Sequence, residues 1–299
     1  MPDPPPQPSA ESRSVARRVG SVVLFCLVAF LATLVSQSVW TGLLVANLKT
    51  SPGIPWSVAV MAVLLWAIWR YAGGAWWPSS TRQSRARYRR ANPVARDLFL
   101  GAMLAGLLSL GALISLWLAL GHLIHVPGNP ASNYAGYSLL TVVAVIVMAS
   151  LVGAVTEEVG LRGYMLTRLE RSVGGWLAVA IVALAISPGH GATQGFAVVT
   201  LAWYLLSDLL LGALSLLTRS ILPSIAVHAV GLLAFFSLVW PTDRLRHPAP
   251  LGSQGLEFWI EVVVFGILVV AGLAAFRSLA AHSSRHYEAY HEHLEPLLR

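Results

Sequence analysis

Two carboxylates and a guanidinium lie within one short run, Ala154-Val155-Thr156-Glu157-Glu158-Val159-Gly160-Leu161-Arg162-Gly163-Tyr164. The approach to them, Ser138 to Val155, carries no charged residue, so the acids are reached from an apolar segment. A charge at bilayer depth is costly unless it is paired or wetted, and acids in such a place point to function. On a helix Glu158 and Arg162 stand four residues apart and share a face, so they can pair. Glu157 points about 100° away and has no partner built into its own helix. One acid is anchored and the other is left for chemistry.

Two histidines belong to the same problem: His190, after the next apolar run, and His228, inside a later one. A single buried histidine is usually a structural hydrogen-bonder, so their weight comes from position. Glu157 and His190 lie at almost equal distances along the chain from Val173-Gly174-Gly175. If that run is the turn of an antiparallel helical hairpin, the two side chains share a depth and can hold a water between them. His228 comes out somewhat lower unless helix tilt closes the gap. A carboxylate in a poorly wetted pocket suits general-base work. With His190 orienting the same water and His228 donating to a developing oxyanion, the chemistry is amide hydrolysis without a covalent intermediate. Asp208 is the spare polar group nearby in sequence, open to a role at this site or to a bond with Ser207 or Tyr204.

Other routes to proteolysis lack their residues. The sequence has no His-Glu-x-x-His zinc helix, no Gly-x-Ser-x-Gly elbow and no Gly-x-Gly-Asp motif. Its one cysteine, Cys26, lies in the middle of an apolar run, facing lipid or core, so neither a disulfide nor a thiolate cage is available. No metal and no cofactor are expected.

The elements that must position these groups are membrane helices. Of the 299 residues 56% are hydrophobic and 11% are charged, with mean hydropathy +0.69; a soluble domain carries roughly 25% charged residues. The expected fold class is all-α, a polytopic transmembrane helical bundle of about eight spans. They run near Val19–Leu48, Ile54–Arg70 and Leu98–Ile124, then from Ser138 through the acidic pair. The rest are Trp176–Ser187, ending at the breaker Pro188-Gly189, Phe196–Thr218, Ile221–Val239 and Phe258–Phe276. Around this domain, 19–280, residues 1–18 read as a disordered cytoplasmic tail and 281–299 as a polar C-terminal tail. The tail's His282, His286, His291 and His293 lack the acids or cysteines that would complete a metal shell.

The net charge of +7 could be read as a sign of nucleic-acid binding, but position argues for topology. All the basic residues except Lys49 are arginines, and most flank apolar runs. Arg82, Arg85, Arg87, Arg89, Arg90 and Arg96 form a loop that the positive-inside bias puts in the cytoplasm. Both termini then fall on that side. Lys49, Arg244 and Arg246 fall on the other. The expected setting is the plasma membrane, with lipid and a peptide or membrane-protein substrate as partners and no nucleic acid.

Glu157-Glu158-x-x-x-Arg162-Gly163, followed by His190, the Thr218-Arg-Ser-Ile-Leu-Pro-Ser approach and His228, resembles the CPBP family. That family takes in CAAX proteases and bacteriocin-processing or self-immunity proteins. The resemblance covers Ser138 to Phe236. It implies an intramembrane glutamic endopeptidase in which Glu157 and His190 activate the water. It further implies that Glu158 and Arg162 support the site and that His228 helps form the oxyanion hole. Two positions depart from the family pattern: Ile186 replaces the usual Phe before the first histidine, and Leu232 the usual Asn or Asp after the second. Leucine cannot donate, and losing one oxyanion donor can cost on the order of a hundredfold in turnover. The alternative reading is therefore a catalytically impaired relative, a membrane binding or immunity protein. A transporter using Glu157 and Asp208 as proton carriers ranks below it, since no internal repeat supports one.

Overall fold

The computed structural model describes residues 10–51, 53–124, 136–239, 241 and 248–294, and the regular structure among them is helical. Helix α1 spans Ala10–Thr50, α2 Trp56–Ala72, α3 Arg82–Arg89 and α4 Arg96–Gly121. Helix α5, Leu139–Glu157, runs without a break into a π-helical segment, Glu158–Met165, and then into α6, Leu166–Val173. After these come α7 (Gly175–Gln194), α8 (Val198–Thr218), α9 (Leu222–Ala234, prolonged by a π turn at Phe235–Val239) and α10 (Leu256–Leu294).

Six of these helical stretches are long and apolar enough to cross a membrane: 17–50, 96–121, 139–173, 198–218, 222–239 and 256–288. The protein is thus a multi-pass integral membrane protein, and the expected count of eight is not reached. The shortfall comes from α2 and α7, whose apolar stretches, 56–72 and 175–191, are shorter than the six. Helix α2 has 17 residues, about 25 Å at the α-helical rise, against a hydrocarbon core of about 30 Å. Helix α7 begins just past Gly174, whose φ of +87° lets the chain reverse after α6. It does not end at Pro188-Gly189 as expected but continues through the proline to Gln194. Proline breaks helices in water because it removes an amide donor and clashes with the preceding turn; inside a membrane bundle, neighbouring elements can satisfy the freed carbonyl. At the N-terminus α1 begins at Ala10, inside the segment expected to be a disordered tail; residues 1–9 lie outside the described residues. The expected C-terminal tail continues α10 as far as Leu294, so His291 and His293 lie on that helix.

Helix α5 starts cleanly because Ser138 Oγ accepts the Thr141 amide at 3.2 Å, satisfying one of the helix's orphan donors. Its lower half and the π segment pass between two apolar clusters. One joins α4, α8, α9 and α10 through Leu98, Trp117, Trp203, Leu214, Val227 and Phe235. The other joins α1, the π segment, α6 and α7 through Cys26, Leu161, Leu166, Ala178, Val182 and Ile186. Cys26 therefore faces the core, and Ile186 fills it. On the outside, Leu24, Val28 and Leu31 of α1 and Val263, Ile267 and Val270 of α10 are exposed, a surface suited to lipid tails rather than water.

The arginine-rich connection has a structural part to play. Buried Arg85 donates to the carbonyls of Tyr71, Ala75, Trp76 and Pro78 at 2.9–3.2 Å and lies 4.1 Å over the Tyr71 ring. Arg89 donates to the Trp69 carbonyl, and Arg90 pairs with Glu170 of α6. This knot closes one end of the bundle directly beneath the acidic pair.

Candidate functional site

Glycines let the π segment sit where it does. A Cβ on Gly163 would meet the carbonyl oxygens of Arg89 at 2.9 Å and Tyr88 at 3.0 Å, so only glycine lets the helix touch that backbone. Gly160 allows the same close approach to Thr33 of α1. The widened π turn therefore lies pressed between α1 and the arginine knot. Insertions of this kind concentrate at functional sites.

From this segment a continuous chain of polar contacts runs across the bundle. Glu158 Oε1 accepts from Arg162 Nη1 at 3.1 Å and stands 2.9 Å from His228 Nδ1 on α9. Arg162 also donates through Nη2 to the Asp208 carbonyl at 3.3 Å and pairs with the Asp208 carboxylate on α8. Glu158 and Arg162 have no solvent exposure at all. The far nitrogen of His228, Nε2, lies 3.4 Å from Glu157 Oε2. At the other end His190 Nε2 on α7 lies 3.4 Å from Asp208 Oδ2, its ring stacked on Tyr204 at 4.1 Å and 9°.

The order is thus Glu157, His228, Glu158, Arg162, Asp208, His190, and it draws on five helical elements: α5, the π segment, α7, α8 and α9. All six residues singled out from the sequence lie in it. The pairing of Glu158 with Arg162 is present, although in a π rather than an α turn. His228, placed lower than Glu157 by hairpin arithmetic, is Glu157's direct neighbour. His190 enters through Asp208. Asp208 itself takes Arg162 and His190, while Ser207 turns its hydroxyl to the Trp203 carbonyl at 3.1 Å.

Leu232, one turn past His228, packs against Gly153, one turn before Glu157. A Cβ on that glycine would meet Leu232 Cδ1 at 3.0 Å and the Trp40 ring at 3.5 Å. The position facing the acid's helix is therefore apolar. Beside it stands a polar group that sequence reasoning passed over: Gln37 of α1 donates to Gly153 O at 3.4 Å and Thr156 Oγ1 at 3.3 Å, and its amide oxygen accepts from Trp40 Nε1. The signal was present, since Ser36-Gln37-Ser38 is a polar island in an apolar run. No sequence pattern marks Tyr204 as the platform for His190.

Chemically, two of the three carboxylates here, Glu158 and Asp208, share one guanidinium. Glu157 is the carboxylate that Arg162 does not touch directly, and its side chain keeps 11% of its surface open. It is the acid best placed to meet a substrate.

No curated protein and no solved structure matches the chain. Residues 138–234 match a family model described as Rce1-like, type II CAAX prenyl endopeptidase. That segment begins at the cap of α5, ends with α9 and contains every residue of the network, so the similarity to the Rce1-like, CPBP family falls on the site itself.

Proposed function

We propose that the protein is an intramembrane endopeptidase of the glutamic type, hydrolysing a peptide bond at or within the bilayer next to a lipid-anchored residue. Glu157 takes a proton from a water held between its carboxylate and the imidazoles. The resulting hydroxide attacks the scissile carbonyl, His228 donates to the oxyanion that forms, and Glu157 returns the proton to the leaving amine. Glu158 accepts the Nδ1–H of His228, so Nε2 faces the reacting centre, and its donation to the oxyanion requires the imidazolium form, with a proton on each nitrogen. Arg162 fixes Glu158 and Asp208 together, and Asp208 with Tyr204 fixes the ring of His190. Such preorganised donors in a site shielded from water are the largest lever on an acyl-transfer barrier.

The observation that carries the reading is the unbroken contact chain from Glu157 to His190 across α5, α7, α8, α9 and the π segment. The matched family's description, a CAAX prenyl endopeptidase, supports a prenylated C-terminal peptide as the substrate class. The site lies near the arginine-knotted end of the bundle, which the positive-inside bias assigns to the cytoplasm; a substrate presented from the cytoplasmic leaflet of the plasma membrane fits that position. Both termini then lie on the cytoplasmic side.

The test is cleavage of a fluorogenic prenylated CAAX peptide by protein reconstituted in liposomes. Glu157→Gln keeps the side-chain volume and should lower turnover at least a thousandfold with an unchanged melting profile. Turnover retained in this variant would overturn the assignment.

A further inference from the structure

Outside this network, at the C-terminal end of α4, a second group of titratable side chains converges. Helices α4 and α10 run antiparallel, and small residues let them approach. Cβ atoms on Gly101, Gly111 and Gly272 would meet Leu279, Leu268 and Ser109 of the other helix. His122 caps the C-terminal end of α4, and Glu257 and Glu261 lie one turn apart in the first turns of α10. His122 Nε2 stands 3.2 Å from Glu261 Oε2. With Glu257 included, one ligand atom from each of the three lies within 4.8 Å of the other two.

The surroundings resemble a built site rather than a loose cluster of surface acids. The side chains of His122 and Glu261 are only 20% and 11% exposed, and the two facing atoms are shut off from solvent. The His122 carbonyl accepts the Ala249 amide at 3.0 Å and Gln254 Nε2 at 3.2 Å. The chain leading into α10 is thereby tied to the same residue. The Phe258 ring meets the imidazole edge-on at 6.0 Å. Glu257 alone is exposed and free to swing in.

We propose that His122, Glu257 and Glu261 form a zinc site that clamps α4, α10 and the 248–255 segment on the side of the membrane away from the arginines. Two carboxylates and a neutral imidazole balance the charge of a divalent ion, which matters at the edge of a low-dielectric layer. An imidazole together with carboxylates selects a transition metal over calcium or magnesium, which prefer all-oxygen shells. Among commonly available divalent ions zinc takes such three-ligand sets, with water completing the tetrahedron. His122 Nε2 and Glu261 Oε2, 3.2 Å apart, already have about the spacing that two ligands take on a zinc with bonds of about 2.0–2.1 Å, and a Glu257 oxygen lies within 4.8 Å of both. The clamp adjoins the wall of the hydrolytic site. Trp117, earlier on α4, packs against Trp203, Tyr204 and Phe235, and Tyr204 supports His190.

The experiment uses the full chain in detergent, stripped with EDTA, titrated with zinc chloride and followed by isothermal calorimetry and thermal melting. Wild type and Glu157→Gln should both bind zinc and melt at higher temperature with it, which separates this site from the proposed chemistry. His122→Asn and Glu261→Gln should each raise the zinc dissociation constant at least tenfold and remove the thermal gain. Magnesium should leave the melt unchanged. The proposal is overturned if zinc gives no shift, if both variants bind as wild type does, or if magnesium substitutes equally well.

Discussion

Arg162→Met tests whether the buried network is the structural keel of the site. The side chain has no solvent exposure and makes three bonds: to Glu158 Oε1, to the Asp208 carbonyl and to the Asp208 carboxylate. Methionine fills much of the volume but supplies no charge, so two carboxylates that are 0% and 5% exposed lose their common partner. Removing one member of a buried ion pair costs about 3–5 kcal/mol, because the remaining charge is stranded. At roughly 2–4 °C per kcal/mol for a chain of this size class, the melting temperature should fall by about 10 °C. The triple variant Arg162→Met, Glu158→Gln, Asp208→Asn removes the charges together while keeping the amide oxygens as acceptors for His228 and His190. It should recover most of the loss. The assay is thermal melting in one detergent, run alongside peptide turnover. A single variant as stable as wild type, or a triple variant no better than the single, would refute the account of Arg162 as the charge that holds both acids.

Other expectations address neighbouring positions. Leu232→Asn puts a donor beside Gly153 and His228 and should raise kcat by about tenfold or more, given the worth of one oxyanion donor; no gain in steady-state turnover would mean the position does not face the reacting carbonyl. Tyr204→Leu removes the ring under His190 and should lower kcat with little change in KM, read from initial rates over a substrate series. Gly163→Ala drives a methyl group into the Arg89 and Tyr88 carbonyls and should destabilise the protein by about 1–3 kcal/mol, visible as a lower melting temperature.

The sequence alone establishes the membrane class and the helical fold and points to the residues of the candidate site, because these rest on local properties. Apolar runs have to be helices in lipid, since every backbone polar group needs an internal partner. Charges inside those runs stand out against them for the same reason. The pairing of Glu158 with Arg162 could be read from a spacing of four. The turn at Gly174 could be read from two adjacent glycines. Composition could not settle how many runs span, since α2 and the apolar part of α7 are both short for a bilayer, nor that α7 would continue through Pro188. Whether a proline breaks or bends a helix depends on neighbours that lie elsewhere in the chain.

Which side chain meets which was decided only by the tertiary structure. Equal arc length from a turn assumes straight, parallel helices and says nothing of the contacts of Glu157 with His228 or of His190 with Asp208, which join residues far apart in the chain. Asp208, ambiguous in sequence, is tied to Arg162 and His190 because α8 crosses beside the π segment. The arginine loop is knotted into carbonyls rather than merely solvated, and His122 meets Glu261 because α4 and α10 lie antiparallel along their length. One-dimensional patterns record which groups are costly to bury, whereas their partners come from helices far apart in the chain, and only packing brings those together.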